Sequence, residues 1–395
     1  MGLPLSNIRI LDLSLIMAGP YCTLILGDLG AEVIKIERPG VGEGARGVPP
    51  HYFEGESAYF IAMNRNKKSM TLDLKNPKGK EIFYALSKSS DVVVDNFRPG
   101  VVKKLGVDYD TLKKINPRII CCSISGYGET GPLKDRPAFD LIIQARGGVM
   151  SYTGEPGQMP VRMGAPMGDL TGGLFAANGI LSALYQREHT GRGQKIDISL
   201  LDCQISLLTY RAQYYFVGNE IAQPVGSGHT SIHPIRAFKT KTFDIVIDCN
   251  VQNIFAELCD AIGASDMAVD PKFCSRENRL ENKDELYDIL EKVFLTKTGE
   301  EWLELLDKRI PIGPINTIDK ALSDPQILSR NMVVEIDYGK GRKLKIVGNP
   351  IKMAEIDQEV FRAPPRLGEH AEQILGEILQ YPPEEIEQLR QEKII

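Results

Sequence analysis

The first 130 residues alternate short, β-branched runs with amphipathic stretches, and few folds accommodate that alternation. IRILDLS (8–14), AEVIKIE (31–37), SMTLDL (69–74) and DVVVDNF (91–97) read as strands, and KINPRIICCSISGYG (114–128) carries a fifth. Their apolar residues are almost continuous, as in strands covered on both faces. AGPYCTLILGDLG (18–30) reads as a helix closed by Gly30, and NPKGKEIFYALSKSS (76–90) has a helical apolar period. Strands that alternate with helices pair in parallel. The expected class is therefore α/β, with a doubly wound, Rossmann-like parallel sheet.

The rest of the chain changes character. GDLTGGLFAANGILSALYQREHTGRG (168–193) reads as a long helix, and the segment from Gln194 begins as a strand and turns helical. Residues 233–320 combine a hairpin pattern, RAFKTKTFDIVIDCN, with helices around FAELCDAIG, KDELYDILEKVFL and GEEWLELLDKR. The expected organisation is a large domain from 1–217 and 323–395 and a smaller α+β domain at 225–320. Glycine-rich or extended linkers are expected at about 218–232 and 310–322. Two β segments and a helix are expected in the tail.

Composition narrows the partners. The net charge is −5, which argues against a nucleic-acid ligand; any anion must find a local basic patch. The seven cysteines contain no CxxC pair, so the expectation is reduced thiols in a cytoplasmic protein without a zinc site. MGLPLS fits the loose myristoylation pattern, but a strand starts at once. There is no basic leader and no apolar run of the ~18–20 residues that span a bilayer, so no membrane association is expected.

Four features carry possible chemistry. GYGETG (126–131) matches a dinucleotide-binding G-x-G-x-x-G, but Pro132 follows and no helix opens there, so a ligand-facing loop is the better reading. His229 and His233 have metal-like spacing without a third ligand, so they read as loop histidines. Arg38, Lys67, Lys68, Lys75, Arg98, Lys103 and Lys104 cluster near expected strand ends, where a phosphorylated ligand fits. Asp169 lies between glycines at the head of the long helix, and by itself reads as a helix cap kept ionised by the helix dipole.

Taken together, RILDLSLIMAGPYCTLILGDLGAEVIKIERPG, NKKSMTLDLKNPKGK, DVVVDNFRPGVVKKLG, NPRIICCSISGYGETGP, GAPMGDLTGG, HTGRGQKIDISLLD, GPINTIDKALSDPQ and PPRLGEH resemble the class III CoA transferases. The runs follow that family's order and cover most of the chain. The resemblance implies that Asp169 is a covalent nucleophile that passes coenzyme A from an acyl-CoA to a carboxylic acid. Neither a permanently bound cofactor nor a metal is needed, and coenzyme A enters as a substrate. Contacts to it are implied for Met17, Ala18, Arg38, Leu72, Asp73, Leu74, Lys75, Asn96, Phe97, Arg98 and Lys104, and for Pro137, Ala138, Phe139 and Asp140. Backbone N–H groups of nearby glycines are expected to stabilise the oxyanions. An interlocked homodimer is implied as well.

Two departures matter. Met17 stands where formyl-CoA transferase has a catalytic glutamine, which puts oxalate and formate in doubt. Phe139 stands where the family's α-methylacyl-CoA racemases have a histidine; it cannot titrate, which disfavours racemisation. The alternatives to transfer are that racemase or epimerase activity and a CoA-binding protein without turnover.

Overall fold

A computed structural model describes residues 2–339, 341–356 and 359–395. The chain divides into two compact units. The larger comprises Met1–Val149, Met163–Tyr210 and Gln326–Ile395, and the smaller Met150–Arg162 and Arg211–Pro325.

In the larger unit six strands form one parallel sheet: β1 (Arg9–Asp12), β2 (Glu32–Glu37), β3 (Lys67–Thr71), β4 (Val92–Asp95), β5 (Ile120–Ser125) and β6 (Lys195–Ser199). Their spatial order is β3-β2-β1-β4-β5-β6, with every neighbour parallel. This is the order of a Rossmann-type doubly wound sheet, which reverses direction between β1 and β4. The helices used below are α1 (Ala18–Asp28), α2 (Ala58–Met63), α3 (Pro77–Lys88), α4 (Val101–Leu105), α5 (Tyr109–Ile115), α6 (Asp140–Arg146), α7 (Met167–Thr190) and α8 (Leu200–Ser206).

Strand side chains alternate between two cores. Ile10, Val33, Val92, Val94 and Cys122 pack with Ala18, Cys22 and Leu26 of α1 and Ala176 and Ile180 of α7. Leu11, Ile34, Met70, Val93 and Cys121 pack on the opposite face with Ile82, Phe83 and Leu86 of α3. Both faces are dry, which explains the almost unbroken apolar strand sequences. Each fully buried Leu, Ile or Val contributes about 1.5–3 kcal/mol.

In the smaller unit β7 (Ile235–Phe238), β8 (Ile245–Asp248) and β9 (Ile312–Pro314) form an antiparallel sheet in the order β9-β8-β7. Phe238, Phe255, Phe294 and Trp302 fill its core.

Three boundaries differ from the sequence reading. The stretch 310–322, expected as a linker, contributes β9, because Ile312–Pro314 pairs with Ile245–Ile247. Residues 150–162 join the smaller unit, where the Gly226 N–H donates to the Gly154 carbonyl at 2.9 Å. So do residues 211–217, where Arg211 donates to Thr230. Pairings this distant in sequence leave no local signal.

Candidate functional site

A doubly wound sheet binds ligands beyond the carboxyl ends of its strands, where the strand order reverses. Here that point lies between the loops after β1 and β4. Asn96, just past β4, spans it. Its Nδ2 donates to the Leu15 carbonyl (2.7 Å) and its Oδ1 accepts from the Leu15 N–H (2.8 Å). The two loops are thereby clamped to each other.

Beneath the β1 loop lies a buried charge network. Asp12, Lys35 and Lys67 have fully buried side chains. Lys67 donates to Asp12 (3.1 Å), the Pro20 carbonyl and Asn64. Lys35 donates to the Ser14 carbonyl at 2.7 Å and lies 3.6 Å from Glu43. Burial pushes the Asp12 carboxyl up, but Lys35 and Lys67 overcome it and hold the group well below the usual range. Burial also brings the Lys67 amine down to about 8, against the pull of Asp12. Buried charges persist only when partnered in this way.

Asp169 occupies the third position of α7, after Met167 and Gly168, so it is inside the first turn and does not cap it. The cap comes from another element. Asp140, at the start of α6, accepts from the Gly168 N–H at 2.7 Å and more weakly from that of Asp169 at 3.4 Å. Gln144 Nε2 holds the other Asp140 oxygen at 2.7 Å. The glycines of the G-D-L-T-G-G run permit close approaches. A Cβ at Gly168 would lie 2.8 Å from the Asp140 carboxylate. One at Gly172 would lie 2.2 Å from Leu200 on α8, and one at Gly173 would lie 2.7 Å from the Ala18 carbonyl on α1. Gly173 therefore sets α7 against the head of α1. Asp169, four residues earlier and on the same helix face, lies at the level of the loop that ends at Met17.

Burial and then the Asp140 charge push the Asp169 carboxyl up to about 6. The sequence reading expected the helix dipole to keep it ionised. Burial beside a second carboxylate weakens that effect, yet the ionised form still leads by about ten to one at pH 7. One expectation is corrected. The Gly168 N–H is committed to Asp140, and Gly172 and Gly173 lie inside α7, where N–H groups bond back along the helix. The glycines of the motif serve packing and are not free oxyanion donors.

The other expected ligand residues separate into groups. Arg38, Lys75, Arg98, Lys103 and Lys104 are exposed at the carboxyl edge, with no ion-pair partner among the described residues. Lys67 and Lys68 leave the cluster: Lys67 is buried, and Lys68 pairs with Glu32 at 2.7 Å near the opposite edge. Leu72, 2% exposed, is a core residue, and Leu74 and Phe97 pack on the same core. Asp73 accepts from the Lys75 N–H and shapes the turn. Met17 and Ala18 are buried at the head of α1. Pro137 and Phe139 are exposed, and Ala138 packs on Gly126. Asp140 is buried and committed to α7. The GYGETG loop leads to no helix before Asp140, which excludes a dinucleotide fingerprint there. His229 Nδ1 accepts from the Ser231 and Ile232 N–H groups, and His233 Nδ1 meets the Tyr287 hydroxyl at 2.7 Å.

Two residues escaped the sequence reading. Burial, then the charges of Asp169, Glu43 and Asp140, push the Tyr59 phenol up, so this α2 side chain lies within electrostatic reach of Asp169. Glu43, 3% exposed, accepts from the Ile16 and Ala45 N–H groups at 3.0 and 2.9 Å. Neither belongs to a periodic pattern or a recognisable motif.

Known proteins resemble this chain in sequence and fold. The profile of CoA-transferase family III matches residues 5–371, and the chain belongs to that family. It is a class III CoA-transferase enzyme, whose substrates are CoA thioesters and carboxylic acids. It is 40% identical over 387 residues to a mouse (Mus musculus) succinyl-CoA:glutarate CoA-transferase, covering 98% of this chain and 89% of the relative. It is 39% identical over 356 residues to an acetyl-CoA:oxalate CoA-transferase of Acetobacter aceti, covering 90% of each. The crystal structure of a CAIB/BAIF family protein from Brucella suis superposes with a TM-score of 0.86 at 35% identity, covering 96% of this chain and 100% of the other.

Proposed function

We propose that Asp169 carries CoA transfer through two covalent intermediates. The carboxylate attacks the thioester carbonyl of the donor and expels CoA thiolate, leaving an acyl–aspartyl anhydride. The thiolate attacks the aspartyl carbonyl, which releases the donor acid and leaves an aspartyl–CoA thioester. The acceptor carboxylate then attacks that thioester, and the returning thiolate frees the new acyl-CoA and Asp169. One thioester replaces another, so the exchange needs no ATP.

The observation that carries this reading is the placement of Asp169. It is partly buried in the first turn of α7, has a pKa of about 6, and lies beside the loop at the sheet's reversal point. Such a carboxylate is ionised at neutral pH yet more basic than a free aspartate, and so a better nucleophile. The exposed cations at the carboxyl edge supply the platform for CoA phosphates. Lys104 acts there as a point charge where the family commonly has an arginine.

For the acids we propose dicarboxylates of four to five carbons, because the mouse relative is named for succinyl-CoA and glutarate. Apolar Met17 cannot supply an amide hydrogen bond to oxalate or formate. Phe139, 76% exposed, supplies no base for racemisation. We also propose a homodimer, supported by exposed Leu174, Phe175 and Tyr185 along α7, and a cytoplasmic location, supported by free cysteines of which six are buried.

The test is a donor and acceptor panel read by mass spectrometry, beside Asp169→Asn. The expected result is dicarboxylate exchange with a CoA adduct on the Asp169 peptide. Full activity in the Asn variant rejects the covalent route. Deuterium uptake at the α-carbon without an acceptor favours the racemase, and binding without exchange favours a non-catalytic protein.

A further inference from the structure

Ile16 has φ of +67°, a left-handed conformation that a β-branched residue adopts only when its surroundings impose it. The surroundings are visible. The Ser14 N–H donates to Asp12 (2.9 Å), the Ser14 carbonyl accepts from Lys35, and Leu15 is held at both polar groups by Asn96. The Ile16 N–H donates to Glu43 Oε2 at 3.0 Å. Ile16 Cδ1 lies against Gly44, where a Cβ would approach to 3.1 Å. The next residue is Met17, which precedes α1 without a side-chain cap, and the head of α1 packs on Gly173, one turn after Asp169.

Glu43 is unusual among these holders. Its Oε1 is buried with no hydrogen-bond partner among the described residues, and its closest cation, Lys35, stands 3.6 Å away. A group optimised for stability alone would not leave that oxygen unmet. Its other oxygen caps the 3-10 turn Gly44–Gly47 by accepting from the Ala45 N–H, and reaches across to the Ile16 N–H of the β1 loop. Strain maintained by a buried charge at the edge of a site is a mark of pre-organisation.

We propose that Glu43 is a positioning residue for the transfer: by holding the left-handed Ile16 N–H, it sets the Ile16–Met17 peptide beside the first turn of α7. The proposal rests on the reading of Asp169 as nucleophile. Glu43 does not touch the reacting atoms. It acts through the peptide, so its loss affects turnover more than CoA binding.

The test uses steady-state kinetics of the full chain with the donor and acceptor pair that the acid panel returns. Glu43→Met keeps the volume and removes the acceptor. It is expected to lower kcat by about 10- to 100-fold, the scale of a small misplacement, with the donor KM changed by less than about threefold. Adding Ile16→Gly to that variant is expected to restore kcat at least about fivefold, because glycine adopts positive φ without being held. Glu43→Gln, which still offers an oxygen to the Ile16 N–H, should stay within about threefold of wild type.

The proposal is overturned if Glu43→Met turns over within about twofold of wild type, or if Ile16→Gly restores nothing to it. A residue that merely stabilises the fold would lower the melting temperature without a kcat loss that glycine reverses. Should Glu43→Met fail to fold, Ile16→Pro carries the test, since it removes the N–H and the positive φ while leaving the buried charges in place. The same kcat loss supports the proposal, and wild-type kcat overturns it. Full activity in Asp169→Asn would sink the underlying reading; an inactive Asn variant beside an unaffected Glu43→Met would sink only this one.

Discussion

Two sets of charges lie at the carboxyl edge of the sheet, and they differ in every physical respect. Asp12, Lys35, Glu43 and Lys67 are buried and mutually engaged. Arg38, Lys75, Arg98, Lys103 and Lys104 are exposed, without ion-pair partners among the described residues. Buried ions must be compensated by the protein itself, so they are suited to holding backbone. Exposed cations leave their partner to be chosen, which suits them to a phosphorylated substrate. Asp169 lies between these regimes: half-buried, without a cation partner among the described residues, and pushed up to about 6.

This comparison can be broken from its centre outward. Asp169→Asn should lower transfer by about 10⁴-fold with little change in thermal stability, as expected when a nucleophile is removed without altering its volume. A variant retaining a tenth of the activity would mean another nucleophile. Lys67→Met should cost about 3–5 kcal/mol in urea unfolding, because it leaves Asp12 short of a buried partner. An unchanged midpoint would mean Lys35 alone compensates the carboxylate.

Asp140→Asn tests what raises the Asp169 carboxyl. Under the proposed mechanism activity requires ionised Asp169, so the acid limb of the wild-type pH–rate profile should fall near pH 6. Burial raises this pKa first and Asp140 second, so removing the Asp140 charge should move the limb lower without bringing it to the free-aspartate value. A limb that stays in place would mean Asp140 is not felt by Asp169. The weakened cap should also cost about 1 kcal/mol of stability. The smallest effect is expected at the rim. Arg98→Ala should raise the acyl-CoA KM by about fivefold, leave kcat alone, and matter less in high salt. A change in kcat instead would place Arg98 with the positioning groups.

Much of the larger unit was legible from local pattern. Strand runs buried on both faces and the helix opening at Ala18 are periodic signals, and the observed strands fall inside or within two residues of the expected runs. The third strand shows where the pattern blurs: it spans Lys67–Thr71, so Leu72 and Leu74 follow it although they continue its apolar rhythm. The basic cluster misled for a related reason. Lys67 and Lys68 look like Lys103 and Lys104 in sequence, yet Lys67 is buried under α1 and α2 and Lys68 meets Glu32.

Sequence alone determined the alternation, and with it the sheet and the loops available to a ligand, because hydrophobic period is a local property of the chain. It also marked Asp169 through its family motif. Tertiary structure alone decided what holds that aspartate and what surrounds it. Asp140 caps α7 from 28 residues away, Asn96 clamps Leu15 across 81, and Glu43 grips Ile16 across 27. The left-handed Ile16 has no sequence signature either, since isoleucine by itself argues for extended or helical backbone. Such contacts depend on chain reversals that bring distant residues within 3 Å, and no local preference encodes them.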